Sequence, residues 1–303
     1  MSQSEPAPAG PPLDPATATL TSPRVVAQLL ARHQLRADKG FGQHFLIDPS
    51  VITAVVEAAG VGPRDEVWEV GPGLGVLTRA LSAVARKVVS VELDARLLPL
   101  LRETLALATN VEIVAADALT VDLGRAARAS RFAANLPYNV GTAVLLRVLT
   151  CGRFTRMGLL LQREVAERLV AAPATSAYGS LSLFVAHHGS ARIVRRVAPG
   201  AFLPAPAVAS AVVRIDVDPD AVADPTTFAL VRLGFRHRRK TLLANLRLAG
   251  VDGSIARDAL VRSGLDPRVR AEALDLATFR ALAAQLPALD TRDGTHHGAR
   301  GLY

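Results

Sequence analysis

Two kinds of apolar pattern take turns along this chain. Short, almost unbroken apolar runs have the length of buried strands: "VWEV" (67–70), "KVVSVE" (87–92), "VEIVAA" (111–116), "RFAAN" (131–135) and "GLLLQ" (158–162). The longer segments between them, among them "GVLTRALSAVA", "ARLLPLLRETLAL", "GTAVLLRVL" and "EVAERLVA", carry the spacing of helices with one apolar stripe. Strands apolar on both faces, alternating with helices, predict a parallel sheet covered on both sides. Two later runs, "ARIVRRVA" and "ASAVVRIDV", predict further strands near the sheet's edge. After about Asp218 the pattern becomes helical throughout, with breaks at "AGVDGS" and "SGLDPR". The expected class is therefore α/β, with a smaller all-helical carboxyl-terminal domain.

The ends of the chain lack either pattern. Residues 1–21, "MSQSEPAPAGPPLDPATATLT", are expected to form a disordered tail, and residues 290–303 a flexible one. Ser22 and Pro23 suit the cap and first position of a helix through "RVVAQLLARH". The domains read as 22–218 and 219–289.

Composition narrows the classes. A chain that is 50% hydrophobic and 20% charged fits a globular protein, and no apolar run is long enough to span a bilayer. No basic start followed by an apolar stretch marks a secretory signal, so a cytoplasmic location is expected. Cys151 is the single cysteine, which excludes an intrachain disulfide and a cysteine-rich metal site. The pair His296–His297 reads as tail composition, and no metal is expected. A net charge of +8 favours a polyanionic partner such as nucleic acid. Charge alone does not decide this. Only Lys39, Lys87 and Lys240 are lysines, and arginine with abundant alanine also follows from a GC-rich coding sequence.

The chemistry gathers where strands end. "VWEVGPGLGVLTRAL" sets Gly71, Gly73 and Gly75 between a strand and a helix, where a backbone must bend and approach a ligand. The next strand ends at Glu92, placed to accept hydrogen bonds from ribose hydroxyls. That spacing also suits a nicotinamide dinucleotide, although Val76 stands where its third glycine belongs. The third strand leads to Asp117 and the fourth ends at Asn135. Polar residues at successive strand ends suit a ligand with a ribose, an adenine and a reactive group, a description that S-adenosylmethionine meets without a pyrophosphate site.

Asn135 opens "NLPY", an amide followed by Leu136, Pro137 and Tyr138. The exocyclic amine of adenine is a poor nucleophile because its lone pair is delocalised into the ring. The Asn135 side-chain oxygen and the Leu136 carbonyl could accept its two N–H groups and turn the lone pair towards a methyl donor. Pro137 fixes φ and brings no N–H, and Tyr138 offers a flat face for a base. The proton leaves afterwards to water, without a strong general base. A plain loop, with asparagine capping the next helix and tyrosine in the core, would present the same four residues.

In order along the chain, "FGQHFLIDPSVI", "EVGPGLGVLT", "VELD", "AADAL", "ANLPYN", "LQREVAERLVA", "AYGSLS", "AFLPAPAVASAVVR" and "FRHRRKTL" resemble the KsgA/RsmA group, the small-subunit rRNA adenine dimethyltransferases, which are related to the Erm enzymes. The match runs from about Gly40 to Leu242. It implies a Rossmann-like S-adenosylmethionine-dependent methyltransferase domain and a helical RNA-binding domain. By motif position it implies cofactor contacts at His44, Leu46, Gly71, Glu92, Asp117 and Asn135. The group commonly reads "GQNFL" where this chain has "GQHFL", so His44 departs from the pattern.

The resemblance also implies methylation of two adjacent adenosines in a hairpin loop near the 3′ end of 16S rRNA, with immature small subunits as the expected partner; a monomer is expected, although the sequence itself does not set the oligomeric state. Loop bases can be splayed onto aromatic rings without opening a duplex. Phe202 is a second stacking candidate, and core packing is its alternative. Arg238, Arg239 and Lys240 of "RHRRK", read as the start of a helix, suit phosphates; a solvated helix face would look the same. Three other functions remain to be weighed. They are an Erm-type enzyme for 23S rRNA, a DNA adenine methyltransferase (for which no extra reading domain is evident) and a non-catalytic ribosome-assembly factor.

Overall fold

Each of the five apolar runs becomes a strand, and the structure, a computed structural model, describes residues 19–36, 43–137, 139–218 and 220–289. The first helix, α1 (Pro23–Arg32), starts at Ser22, whose carbonyl accepts the Val26 N–H at 2.9 Å while its hydroxyl makes no cap bond. Then follow β1 (Phe45–Leu46), α2 (Pro49–Ala59), β2 (Glu66–Val70), α3 (Val76–Ser82), β3 (Lys87–Glu92), α4 (Leu98–Thr104), β4 (Val111–Ala115), β5 (Ser130–Asn135), α5 (Gly141–Thr150) and β6 (Phe154–Gln162). The rest comprises α6 (Arg163–Leu169), α7 (Ser180–His188), β7 (Gly189–Val197), β8 (Phe202–Leu203), β9 (Ser210–Val217), α8 (Pro225–Phe235), α9 (Leu242–Leu248), α10 (Gly253–Arg262) and α11 (Leu276–Ala283).

Seven strands form one sheet in the order β4-β3-β2-β5-β6-β9-β7. From β4 through β6 the pairs are parallel, and β9 runs antiparallel to β6. The two later runs thus lie at one side, with β7 as the edge. The chain steps outward from β2 through β3 and β4, then returns to the other side of β2 with β5. Such a reversal leaves a crevice beyond the carboxyl ends of β2 and β5, where open sheets of this kind bind ligands.

Burial follows the pattern of apolar residues. Val67, Val88, Phe132, Met157, Leu159 and Val213 are fully buried at the sheet's centre. α2 lies against β6 and β9, and Gly158 sets the closeness of that contact. A Cβ there would stand 2.2 Å from the Val55 carbonyl oxygen and 2.5 Å from the Ala59 nitrogen. Only glycine lets the helix backbone rest on the strand.

Two expectations about boundaries change. The amino-terminal tail does not reach residue 21: Leu20 and Thr21 are buried, Leu20 within the apolar cluster that also holds Val26 and Leu29. Residues 1–18 and the expected tail 290–303, including His296 and His297, lie outside the described residues. The chain divides into two compact units, Met1–Ala166 with Arg192–Val217, and Glu167–Ala191 with Asp218–Tyr303. A single cut after Asp218 does not describe that division, because 167–191 sits with the later helices. The Tyr178 hydroxyl donates to the Leu274 carbonyl at 2.7 Å, and the Ala174 N–H to that of Glu272 at 2.7 Å. No described helix is long and apolar enough to cross a membrane.

Candidate active site

The crevice beyond β2 and β5 is a cavity, and the first unit alone builds it. After β2 the chain turns through Gly71, Gly73 and Gly75, whose φ values of +70°, +59° and +82° lie in the left-handed region. At Gly73 a Cβ would also stand 3.3 Å from the Phe45 ring. The loop needs glycine for its bend and for the wall that closes on it.

That wall comes from far along the sequence. β1 pairs antiparallel with β8, Phe45 opposite Leu203 and Leu46 opposite Phe202. The His44 ring meets the Pro204 carbonyl at 2.8 Å through Nδ1, and its own carbonyl accepts the Asn135 side-chain N–H at 3.2 Å. Gln43 donates to Asp94 at 2.9 Å. His44 and Leu46 thus reach the cavity on a segment fixed at both flanks.

At the end of β3, Glu92 is buried, and that burial pushes its carboxyl above the usual range. The backbone N–H groups of Asp94, Gly73 and Leu93 oppose the shift, with Asp94 donating at 2.8 Å. Beyond β4, Asp117 accepts the Leu119 N–H through Oδ1 at 2.8 Å, so one of its oxygens shapes the turn. Asn135, Leu136 and Pro137 close the opposite side, with Leu136 anchored by its N–H to the Leu160 carbonyl at 3.2 Å. His44, Leu46, Gly71, Glu92, Asp117, Asn135, Leu136 and Pro137 all line this one cavity.

Sequence reading missed Glu69, which passed as a strand residue of "VWEV". It lines the cavity at 1% exposure and receives the hydroxyls of Thr78 at 2.6 Å and Ser90 at 2.5 Å. Burial raises its pKa to about 7, with Glu92 adding to the shift and the two hydroxyls opposing it. An acid in an apolar strand just before a glycine loop was the available signal.

The remaining candidates are placed elsewhere. Phe202 is 2% exposed within the apolar core, because β8 is clamped against β1, and it offers no free face for a base. "RHRRK" is a turn after α8 and does not begin a helix; the next helix starts later, with Thr241 as its cap. Arg238 donates to the carbonyls of Ser176 at 2.8 Å and Tyr178 at 3.0 Å, while Arg239 and Lys240 are exposed. These three belong to the second unit and do not line the cavity. Tyr138 lies outside the described residues.

A family model for the ribosomal RNA adenine dimethylase matches residues 34–285, most of the chain. The chain belongs to that family. Among its relatives, Ribosomal RNA small subunit methyltransferase A of Deinococcus radiodurans is 44% identical over 273 residues, covering 90% of this chain and 93% of the relative. The protein of that name from Geobacillus thermodenitrificans is 40% identical over 284 residues, covering 88% and 97%. Among solved structures, the 23S rRNA methyltransferase ErmE gives a TM-score of 0.63 at 28% identity, covering 80% of this chain and 99% of its own. A dimethyladenosine transferase from Plasmodium falciparum gives 0.66 at 23% identity, covering 79% and 96%, a likeness of fold. The dimethylase family thereby fixes the Rossmann-like methyltransferase fold that the strand order displays, and the chain is a methyltransferase.

Proposed function

We propose that this protein transfers methyl groups from S-adenosylmethionine to the exocyclic amines of two adjacent adenosines in a hairpin loop near the 3′ end of 16S rRNA. Its substrate is the immature small subunit in the cytoplasm, and it acts as a monomer. The observation that carries the reading is the charge of the cavity. Glu69, Glu92 and Asp117 line it, and no arginine or lysine does so among the described residues. A dinucleotide would bring two negative phosphates to those acids, whereas a sulfonium ligand brings positive charge. The group supplies, when bound, a methyl carbon made electrophilic by the attached sulfonium.

The chain's own residues do the rest. Glu92 would hold the ribose hydroxyls, and Asp117 the adenine edge through the oxygen not used in its turn. Gly71 and Gly73 allow close approach, and His44 and Leu46 form the wall. Asn135 and the Leu136 carbonyl would accept the N–H groups of the target amine, directing its lone pair into the cavity. With the donor bound, the target nitrogen would take the methyl as its bond to sulfur breaks, and the amine would then lose a proton to water. Pro137 carries no N–H to compete for those acceptors. Tyr138 would stack the base, and Arg239 and Lys240 would meet phosphates. Arg238, held by two carbonyls, shapes the turn that presents them.

The test is transfer of a labelled methyl group to immature small subunits, free 16S rRNA and 23S rRNA, with the modified nucleosides mapped. Dimethyladenosine at two adjacent positions of 16S rRNA is the expected result. Label confined to 23S rRNA would establish the Erm-type reaction instead, and no transfer would leave an assembly factor.

A further inference from the structure

The turn that follows β4 is held from behind by a residue outside the cavity. The Asp117 carbonyl accepts the N–H groups of Thr120 at 3.0 Å and Val121 at 2.8 Å, so residues 117–121 close into one loop. Arg147, on α5, reaches that loop with both arms of its guanidinium: Nη1 donates to the Ala118 carbonyl at 3.0 Å, and Nη2 to the Val121 carbonyl. The peptide joining Ala118 to Leu119 is therefore gripped on both sides. Its carbonyl takes the Arg147 N–H, and its own N–H donates to Asp117 Oδ1 at 2.8 Å. Val144, Leu145, Leu146, Val148 and Leu149 are buried and fix the helix that carries the arginine. Asp117 and Ala118 line the cavity, and Arg147 does not.

We propose that Arg147 is a positioning residue for recognition of the cofactor's adenine, acting through the Ala118–Leu119 peptide on the Asp117 carboxylate. The inference rests on the reading of Asp117 as acceptor for the adenine amine. A carboxylate free to turn about its Cβ–Cγ bond can offer an oxygen in many directions. The Leu119 N–H pins Oδ1, and that fixes where Oδ2 stands. This N–H is only as well aimed as its planar peptide, and the guanidinium on the opposite carbonyl sets that plane. A charged donor on the carbonyl also polarises the amide, so the N–H that holds Asp117 donates more strongly. The second bond, to Val121, ties the far end of the loop to the same guanidinium. Packing of the arginine stem between helix and loop is the competing role. It would make the residue matter for stability and not for the choice of base.

Calorimetry on the full-length protein distinguishes these roles by comparing S-adenosylhomocysteine with the analogue that carries hypoxanthine in place of adenine. In that analogue an oxygen replaces the amine that would donate to Asp117, so the wild type should prefer adenine by about 10²-fold. Arg147→Met keeps most of the apolar stem and removes the guanidinium. It should bind the adenine ligand about 10-fold more weakly and the hypoxanthine ligand as wild type does, so the preference falls about 10-fold. Arg147→Lys, able to meet one of the two carbonyls, should lie between the two. In an Asp117→Ala background, Arg147→Met should bring no further loss. Equal weakening of both ligands overturns the proposal, as does an undiminished loss in the Asp117→Ala background. A preference kept in both Arg147 variants, with or without a lower melting temperature, overturns it alone. A wild type that binds both ligands alike, or neither, overturns it together with the adenine contact at Asp117.

Discussion

At the amino ends of the sheet's parallel strands, acids meet bases. Lys87 lies 2.8 Å from Glu112, Arg131 3.5 Å from Asp65, and Arg156 and Arg214 lie 2.8 Å and 2.7 Å from Asp216. At the carboxyl ends of the same sheet, Glu69, Glu92 and Asp117 receive only hydroxyls and backbone N–H groups, and no base pairs with them among the described residues. The titration behaviour divides in the same way. Hydrogen bonds and charge from Arg214 and Arg156 hold Asp216 below the usual carboxylate range against a smaller burial effect, and Lys87 and Arg125 do so for Glu112. Burial holds Glu69 and Glu92 above it. Acids whose countercharge is built into the chain serve the scaffold. The acids left without one, Glu69, Glu92 and Asp117, are those that line the cavity.

The sharpest way to break that division is at Asn135. Asn135→Ala should slow methyl transfer by about 10²–10³-fold, the usual cost of removing one oriented polar group from a reacting centre. Cofactor affinity should change far less. Single-turnover kinetics with saturating rRNA would measure it, and a wild-type rate would remove the amide from the chemistry.

Glu69 tests the carboxyl end through pH. Its folded-state pKa of about 7 lies above the ordinary glutamate value of 4.5, so the folded protein holds this proton more tightly than the unfolded chain. Between those values its contribution to stability is lost as pH rises. Glu69→Gln keeps the group neutral, and should make the protein more stable than wild type at pH 8 by on the order of 3 kcal/mol. Near pH 4.5 the difference should be small. Urea unfolding at both pH values would show it; parallel pH dependence in the two proteins would mean that the Glu69 proton plays no part.

A smaller effect is expected at Glu92, where loss of the acceptor for ribose hydroxyls should weaken cofactor binding by about 1–3 kcal/mol in Glu92→Ala. Calorimetry on the folded variant would decide, and unchanged affinity would refute the ribose contact. The smallest change belongs to the opposite edge. Asp216→Asn should cost less than about 1 kcal/mol of stability, since its ion pairs are partly exposed, and should leave cofactor affinity as it was. If Asp216→Asn impaired the cofactor as strongly as Glu92→Ala, the two ends would not differ in role.

Local sequence carried most of the site because its residues sit at strand termini. The glycine loop, Glu92, Asp117 and "NLP" could each be placed by counting from an apolar run. What stayed hidden depends on contacts between distant segments. Pairing of β1 with β8 buries Phe202, and nothing near "AFLPAP" announces a partner strand at Phe45 and Leu46. The shift of 167–191 into the second unit rests on the bonds of Tyr178 and Ala174 to residues about a hundred positions later. "RHRRK" looked helical because good helix formers continue through it. Thr241 restarts the helix instead, accepting the Ala244 N–H, and so leaves a turn before it.

The pairing of β1 with β8 has a consequence for how the protein is made. A ribosome translating this chain releases Gly71, Glu92, Asp117 and Asn135 well before Phe202 and Leu203. Until those two residues emerge, Phe45 and Leu46 lack their partner strand and His44 lacks the Pro204 carbonyl. A nascent chain stalled short of residue 202 would display every strand-end acid and still have an unfinished wall. The wall of the cavity is therefore completed late in synthesis, after the strand-end residues that line it have left the exit tunnel.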